Sequence, residues 1–187
     1  MRLAVVILLV IIFLSASLTA FVWLGIYDVA ASGSHWGITV WIIEKVRDRS
    51  IAVRSKAIPT PPLDDPKLVA EGFGHYHALC RLCHSAPGYS QVEIAKGLNP
   101  EPPDLVSDEE VKWRGGAQLY WVIKNGIKMT GMPAFGPTHS EYELWGIVAF
   151  LKRLPNLKAE EYNAMVKAAI LPEGGDISHH HRPGKNQ

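Results

Sequence analysis

The chain has 187 residues, a formal net charge of +1 and 48% apolar side chains. So balanced a charge excludes a general attraction to nucleic acid or to acidic substrates. The length allows one ordinary domain and something extra.

From residue 3 to residue 27 there is no Asp, Glu, Lys or Arg. At about 1.5 Å rise per residue, this run crosses a hydrocarbon core of about 30 Å. A cleaved signal peptide has a shorter apolar core and small residues at its cleavage site. Ser15 and Ser17 offer such a site, but the apolar run continues through Phe21, Val22, Trp23 and Leu24. Apolarity on every face also argues against a buried core helix. The expectation is an uncleaved transmembrane signal anchor over 1–27, seated in membrane lipid. Charge leaves its orientation open, because Lys45, Arg47, Arg49, Arg54 and Lys56 begin about 18 residues beyond the run, at the limit of the positive-inside bias.

Residues 28–35 read as a loop. Over 36–50, Trp36, Val40, Ile43 and Val46 fall near helical spacing. Such a helix suits a membrane interface, a membrane partner or packing on the domain itself. "IPTPPLDDP", residues 58–66, is an extended connector that closes a membrane-proximal segment, 28–65. Asp65 then caps a helix with Pro66 in its first position. Val69, Phe73, Tyr76, Cys80 and Cys83 make an apolar stripe, so both cysteines project from one helix face near its end.

Residues 97–105 are a turn-rich loop. Ser107 and Glu110 form a capping box for a short helix broken at Gly115 and Gly116. A third helix over 117–126 stops at Asn125 and Gly126. Ser140 and Glu143 open a helix with Leu144, Ile147, Val148 and Leu151 on one face, ended by Pro155. No run alternates as a strand does, so the fold class is all-α. The domain is placed at 66–157, with a C-terminal tail over 158–187. His179, His180 and His181 read as solvated tail, with weak metal binding as the other reading.

"LCRLCHSAP", residues 79–87, holds both cysteines of the chain. A structural zinc site needs four ligands, and no second Cys/His pair has a recognised spacing; His75 and His77 cannot share the cysteine face. A thioredoxin-like pair belongs at a helix start among strands. A disulfide closing so short a loop gains little. The fourth reading is Cys-x-x-Cys-His as a covalent c-type haem site. Two cysteines three apart reach two vinyl groups on one porphyrin edge, and His84 is carried beneath the iron as an axial ligand. Met is the common second ligand. Met132, framed by Gly131 and Pro133, is preferred over Met129.

With these residues the chain resembles the class I cytochromes c, over 66–157. It is most similar to bacterial mono-haem domains associated with haem-copper oxidases and membrane dehydrogenases. The resemblance rests on Gly72, Tyr76, Cys80, Cys83 and His84, on "GMPAF" and on "ELWGIVAFLKRL". It implies a cytochrome c fold around one covalent haem c, with Gly72 and Tyr76 crossing against Ile147 and Phe150. It implies that the carbonyl of Pro102 or Pro103 accepts from His84, and that Trp113, Arg114 or Trp121 bonds a propionate. Val69, Phe73 and Ile147 are expected to bury the ring. Thioether attachment outside the bacterial cytoplasmic membrane implies a single-pass inner-membrane protein with a periplasmic haem domain. The implied function is one-electron transfer rather than catalysis, between redox donor and acceptor complexes. The alternative is a haem enzyme or gas sensor with a displaceable sixth ligand.

Overall fold

A computed structural model describes residues 2–107 and 114–170. Among these the regular structure is helical, and Ala86 and Tyr89 form one isolated bridge. The elements are α1 (Arg2–Trp23), α2 (Gly37–Ser55), α3 (Pro66–His75), a π-turn (Tyr76–Cys80), α4 (Arg81–His84), α5 (Glu93–Lys96), α6 (Gly116–Asn125), α7 (Glu141–Arg153), a 3-10 turn (Leu154–Asn156) and α8 (Ala159–Ile170). The expected helix after Ser107, Trp113 and the histidines at 179–181 lie outside the described residues.

α1 is apolar throughout and buries none of its residues; by length and composition it can cross a membrane. Trp36 closes the loop that follows, with ring centroids 6.1 Å from Phe21 and 5.1 Å from Tyr27. α2 runs five residues past the expected end at 50. Its last turns bury Ile51 and Ser55 and pack on α6. Asp48 of α2 pairs with the Arg114 guanidinium at 3.3 Å. The C-terminal half of α2 therefore packs on the domain, while Ile38, Trp41, Ile42 and Val46 stay exposed.

α3 starts as its sequence dictates: Asp65 accepts a hydrogen bond from the Lys67 N–H at 2.9 Å, and Pro66 needs no N–H partner there. It crosses α7 at a distance set by two glycines. A Cβ on Gly72 would sit 1.8 Å from the Gly146 carbonyl oxygen, and one on Gly146 would sit 3.1 Å from Gly72 N. Backbone thus lies on backbone, and Gly146, more than the expected Ile147, faces Gly72. Around this contact Phe150 meets Phe73 at 5.5 Å and Tyr76 at 5.1 Å. α7 opens with the expected box: Ser140 Oγ accepts from Glu143 N at 3.3 Å, and Glu143 Oε2 accepts from Ser140 N at 2.6 Å. α6 leans on α7 through stacked Tyr120 and Trp145 rings, 4.3 Å apart.

The packing does not stop at residue 157. α8 lies inside the stretch read as tail, and Tyr162 is wholly buried against Phe73, 5.4 Å between centroids. Met165 and Val166 pack on the same core. Tyr162, Met165 and Val166, at i, i+3 and i+4, were the available signal.

Candidate cofactor site

The cysteine segment is one helical rod with a local change of pitch. α3 passes into the π-turn, in which Arg81 N–H bonds to the Tyr76 carbonyl, and α4 completes the rod to His84. Such single π-turns recur at functional sites. The rod ends at Ser85, whose φ of 59° takes the chain out of helix. Tyr76 holds this exit: its buried hydroxyl donates to the Ser85 carbonyl at 2.8 Å. Burial pushes the Tyr76 phenol far above its ordinary pKa, so it remains a donor.

His84 Nδ1 lies 2.9 Å from the Pro103 carbonyl oxygen. A carbonyl only accepts, so Nδ1 carries the proton and the lone pair of the neutral ring sits on Nε2. Of the two prolines, Pro103 is therefore the one that meets the imidazole. The Pro102 carbonyl accepts instead from Gln91 Nε2 at 2.8 Å, and the same nitrogen donates to the Cys83 carbonyl at 2.8 Å. Leu105 N–H bonds to the His84 carbonyl at 3.2 Å. Ser85 Oγ donates to the Asp104 carboxylate. Burial alone would raise the Asp104 pKa, but hydrogen bonds from Ser85, from Val106 N–H and from Ser107 outweigh it and hold the carboxyl below its ordinary value. The 97–105 loop is thus bound to the cysteine turn along its length.

Cys80 and Cys83 are partly buried and share no disulfide. Burial, with Cys83 beside it, pushes the Cys80 thiol up to about 12. It is a neutral thiol at physiological pH, the opposite of the thiolate that a redox pair requires.

The two candidate methionines differ sharply. Gly126, at φ 65°, ends α6 and lets the following loop fold back; a Cβ there would sit 2.8 Å from the Met132 carbonyl oxygen. Ile127 N–H bonds to that carbonyl at 3.2 Å, and Met132 N–H bonds to Thr130 Oγ1 at 3.1 Å. Met132 is half-buried in this loop. Met129 is 85% exposed, at φ 61°. Gly131 packs on Leu98, whose Cδ1 would be 2.5 Å from a Cβ there. The Met132 loop therefore touches the loop that carries Pro103.

Other expected contacts fall elsewhere. Arg114 pairs with Asp48, and its carbonyl accepts from Lys152 Nζ. Val69, Phe73 and Ile147 retain only 3%, 5% and 1% of their surface after packing on protein alone. They brace the helix crossing and have no face left for a ring. Leu105, Val106 and Phe135 pack on the core while keeping open surface; they sit in loops, where no periodicity marks them.

Two thiols on one turn, an imidazole fixed through Nδ1 and a thioether in a braced loop form a donor set that fits a c-type haem. Searches of curated proteins and of solved structures found no match. Residues 67–151 match the family model described as cytochrome c oxidase, cbb3-type, subunit III, a class I c-type cytochrome domain.

Proposed function

We propose that this protein is a membrane-tethered mono-haem cytochrome c that carries single electrons in a respiratory chain. The observation that supports this most is the Cys80-x-x-Cys83-His84 turn with His84 Nδ1 tied to Pro103, inside the segment matched to a cytochrome family. A bound haem supplies one-electron exchange between ferric and ferrous iron. The thiols of Cys80 and Cys83 would hold it through thioether bonds. His84 Nε2 and the Met132 thioether would ligate its iron. The Pro103 bond orients the imidazole and raises its basicity; a thioether on the other side favours the ferrous state.

The tether is α1, placed in the bacterial inner membrane with the cytochrome domain in the periplasm. That orientation rests on where thioether attachment takes place, and the length and apolarity of α1 agree with a membrane span. Two arrangements are compatible with this reading, a tethered shuttle or a fixed subunit of an oxidase or dehydrogenase. The exposed apolar residues of α2 beside α1 favour the fixed subunit. Co-purification of a stoichiometric catalytic subunit in mild detergent supports that arrangement, and a chain that purifies alone supports the shuttle.

The ligand assignment is tested by near-infrared spectroscopy of the ferric protein. Expected is a Met–Fe(III) charge-transfer band that persists in Met129→Ala and disappears in Met132→Ala. High-spin ferric iron in the unmodified protein would favour the haem enzyme or sensor instead.

A further inference from the structure

The chain leaves the helix at Ser85, so the carbonyls of the last turn of α4 have no following helical N–H to meet. Each finds a donor in another segment. Leu82 accepts from Val92 N–H at 2.9 Å, Cys83 from Gln91 Nε2 at 2.8 Å and His84 from Leu105 N–H at 3.2 Å. Gln91 supplies the side-chain donor of the three. Its backbone is fixed on both sides: Ala86 and Tyr89 exchange hydrogen bonds of 2.9 and 2.7 Å before it, and Val92 follows it. From this braced position the same Nε2 also donates to the Pro102 carbonyl at 2.8 Å. A primary amide can serve two carbonyls at once; a carboxylate can serve neither.

Neither Pro102 nor Pro103 has an N–H, so hydrogen bonds hold the pair only through its carbonyls. The planar peptide between them and the Pro103 φ, locked at about −65°, leave one soft torsion between the two carbonyls. Fixing the Pro102 carbonyl therefore aims the Pro103 carbonyl, which lies 2.9 Å from His84 Nδ1. Beyond it, the Asp104 carboxylate accepts from the Ser85 hydroxyl and from Val106 N–H at 3.0 Å. The acceptor of the imidazole proton is thus held from both ends.

We propose that Gln91 is a positioning residue for the imidazole: by joining the Cys83 and Pro102 carbonyls it keeps the Pro103 carbonyl on His84 Nδ1, and so sets how strongly Nε2 donates to a haem iron. This rests on the haem reading above. A ring whose Nδ1–H is well accepted is the more basic ligand and favours the ferric state. Loss of Gln91 shifts the balance toward the ferrous state and raises the reduction potential.

The test uses the full-length, haem-loaded protein in detergent, isotopically labelled at histidine nitrogen. Gln91→Leu and Gln91→Met are close to glutamine in size and lack the donor. Gln118→Leu is the control, since Gln118 Oε1 accepts from Gly115 N–H at 3.2 Å at the start of α6 and touches neither proline. The readouts are the midpoint potential, by spectroelectrochemical titration, and solvent exchange of the His84 Nδ1 proton in the ferrous protein. Expected in Gln91→Leu is a more positive potential and exchange about fivefold faster or more, the factor that accompanies loss of one hydrogen bond. Gln118→Leu should match the parent in both. Gln91→Met carries the test if Gln91→Leu does not fold. A potential that stays or falls, or an unchanged exchange rate, overturns the proposal even where Tm drops, because Gln91 would then be structural alone. A parent that carries no covalent haem overturns the haem reading and this proposal together, and is seen before any variant is compared.

Discussion

Gly72 and Gly74 stand two positions apart on α3 and should respond to alanine with opposite signs. At Gly72 the new methyl would meet the Gly146 carbonyl at 1.8 Å, and that atom is helix backbone, which cannot swing aside. The helices must separate, at a cost at or beyond the usual 1–3 kcal/mol (~) of overpacking. At Gly74 a Cβ meets nothing within 4 Å, so Gly74→Ala should gain up to about 1 kcal/mol of helix propensity. Thermal unfolding of the two variants checks this; equal Tm values would contradict the backbone contact. Asp104 gives a second residue-scale prediction. Its folded pKa is depressed, so its contribution to stability is present above the unfolded value of about 3.9 and is lost as pH falls through the lower folded value. Urea unfolding followed from neutral pH into the acid range should show Asp104→Asn less stable than the parent near neutrality, with the gap closing in acid. At this scale the sequence was most informative about Cys80, Cys83 and His84, because the chemistry of that motif is local. The choice between Pro102 and Pro103 was not legible, since it depends on how a loop lies against a helix. Gly146 was missed because a helical glycine reads as a weakness until its neighbour is known.

Among the elements, α2 decides whether the segment that follows α1 hangs loosely from the helical domain or is docked to it. Ile51 is 2% exposed in that contact, and the Asp48–Arg114 pair lies at its edge. Ile51→Ala should cost about 2–5 kcal/mol of docking, against about 0.2–1 kcal/mol for loss of the ion pair. Limited proteolysis of the connector at 58–65 reads this: cleavage should accelerate strongly in Ile51→Ala and little in Asp48→Asn. Equal rates in the parent and Ile51→Ala would mean that α2 does not hold the domain. The extent of α3, α6 and α7 was legible from capping residues and apolar spacing. The end of α2 was not, because its last turns are rich in arginine and bury a single large apolar side chain. α8 was hidden for a related reason, since Tyr162 looks like a lone aromatic until Phe73 and Phe150 are seen to surround it.

For the molecule as a whole, one side chain connects the loop after α1 to the candidate site. Asn99, in the loop that carries Pro103, donates from Nδ2 to the Gly33 carbonyl at 2.7 Å and to Ala31 at 3.3 Å. The histidine side of the site is thereby tied to the segment that follows α1. Redox encounters bury little surface and are weak; in the proposed function, a tether through α1 would raise the domain's effective concentration for membrane partners. Helical class and a run long and apolar enough to cross a membrane were readable from composition and periodicity, and the likeness to cytochromes from one motif. The placement of the domain on the segment after α1 was not, because it depends on long-range contacts, the burial of Ile51 and the hydrogen bonds of Asn99. The central claim is a covalent haem on Cys80 and Cys83, and intact-mass spectrometry of the chain produced with a c-type maturation apparatus tests it most directly. The account predicts a mass greater than the polypeptide by one protohaem, lost when both cysteines are replaced by serine. An unmodified polypeptide mass from cells that mature other c-type cytochromes would contradict it.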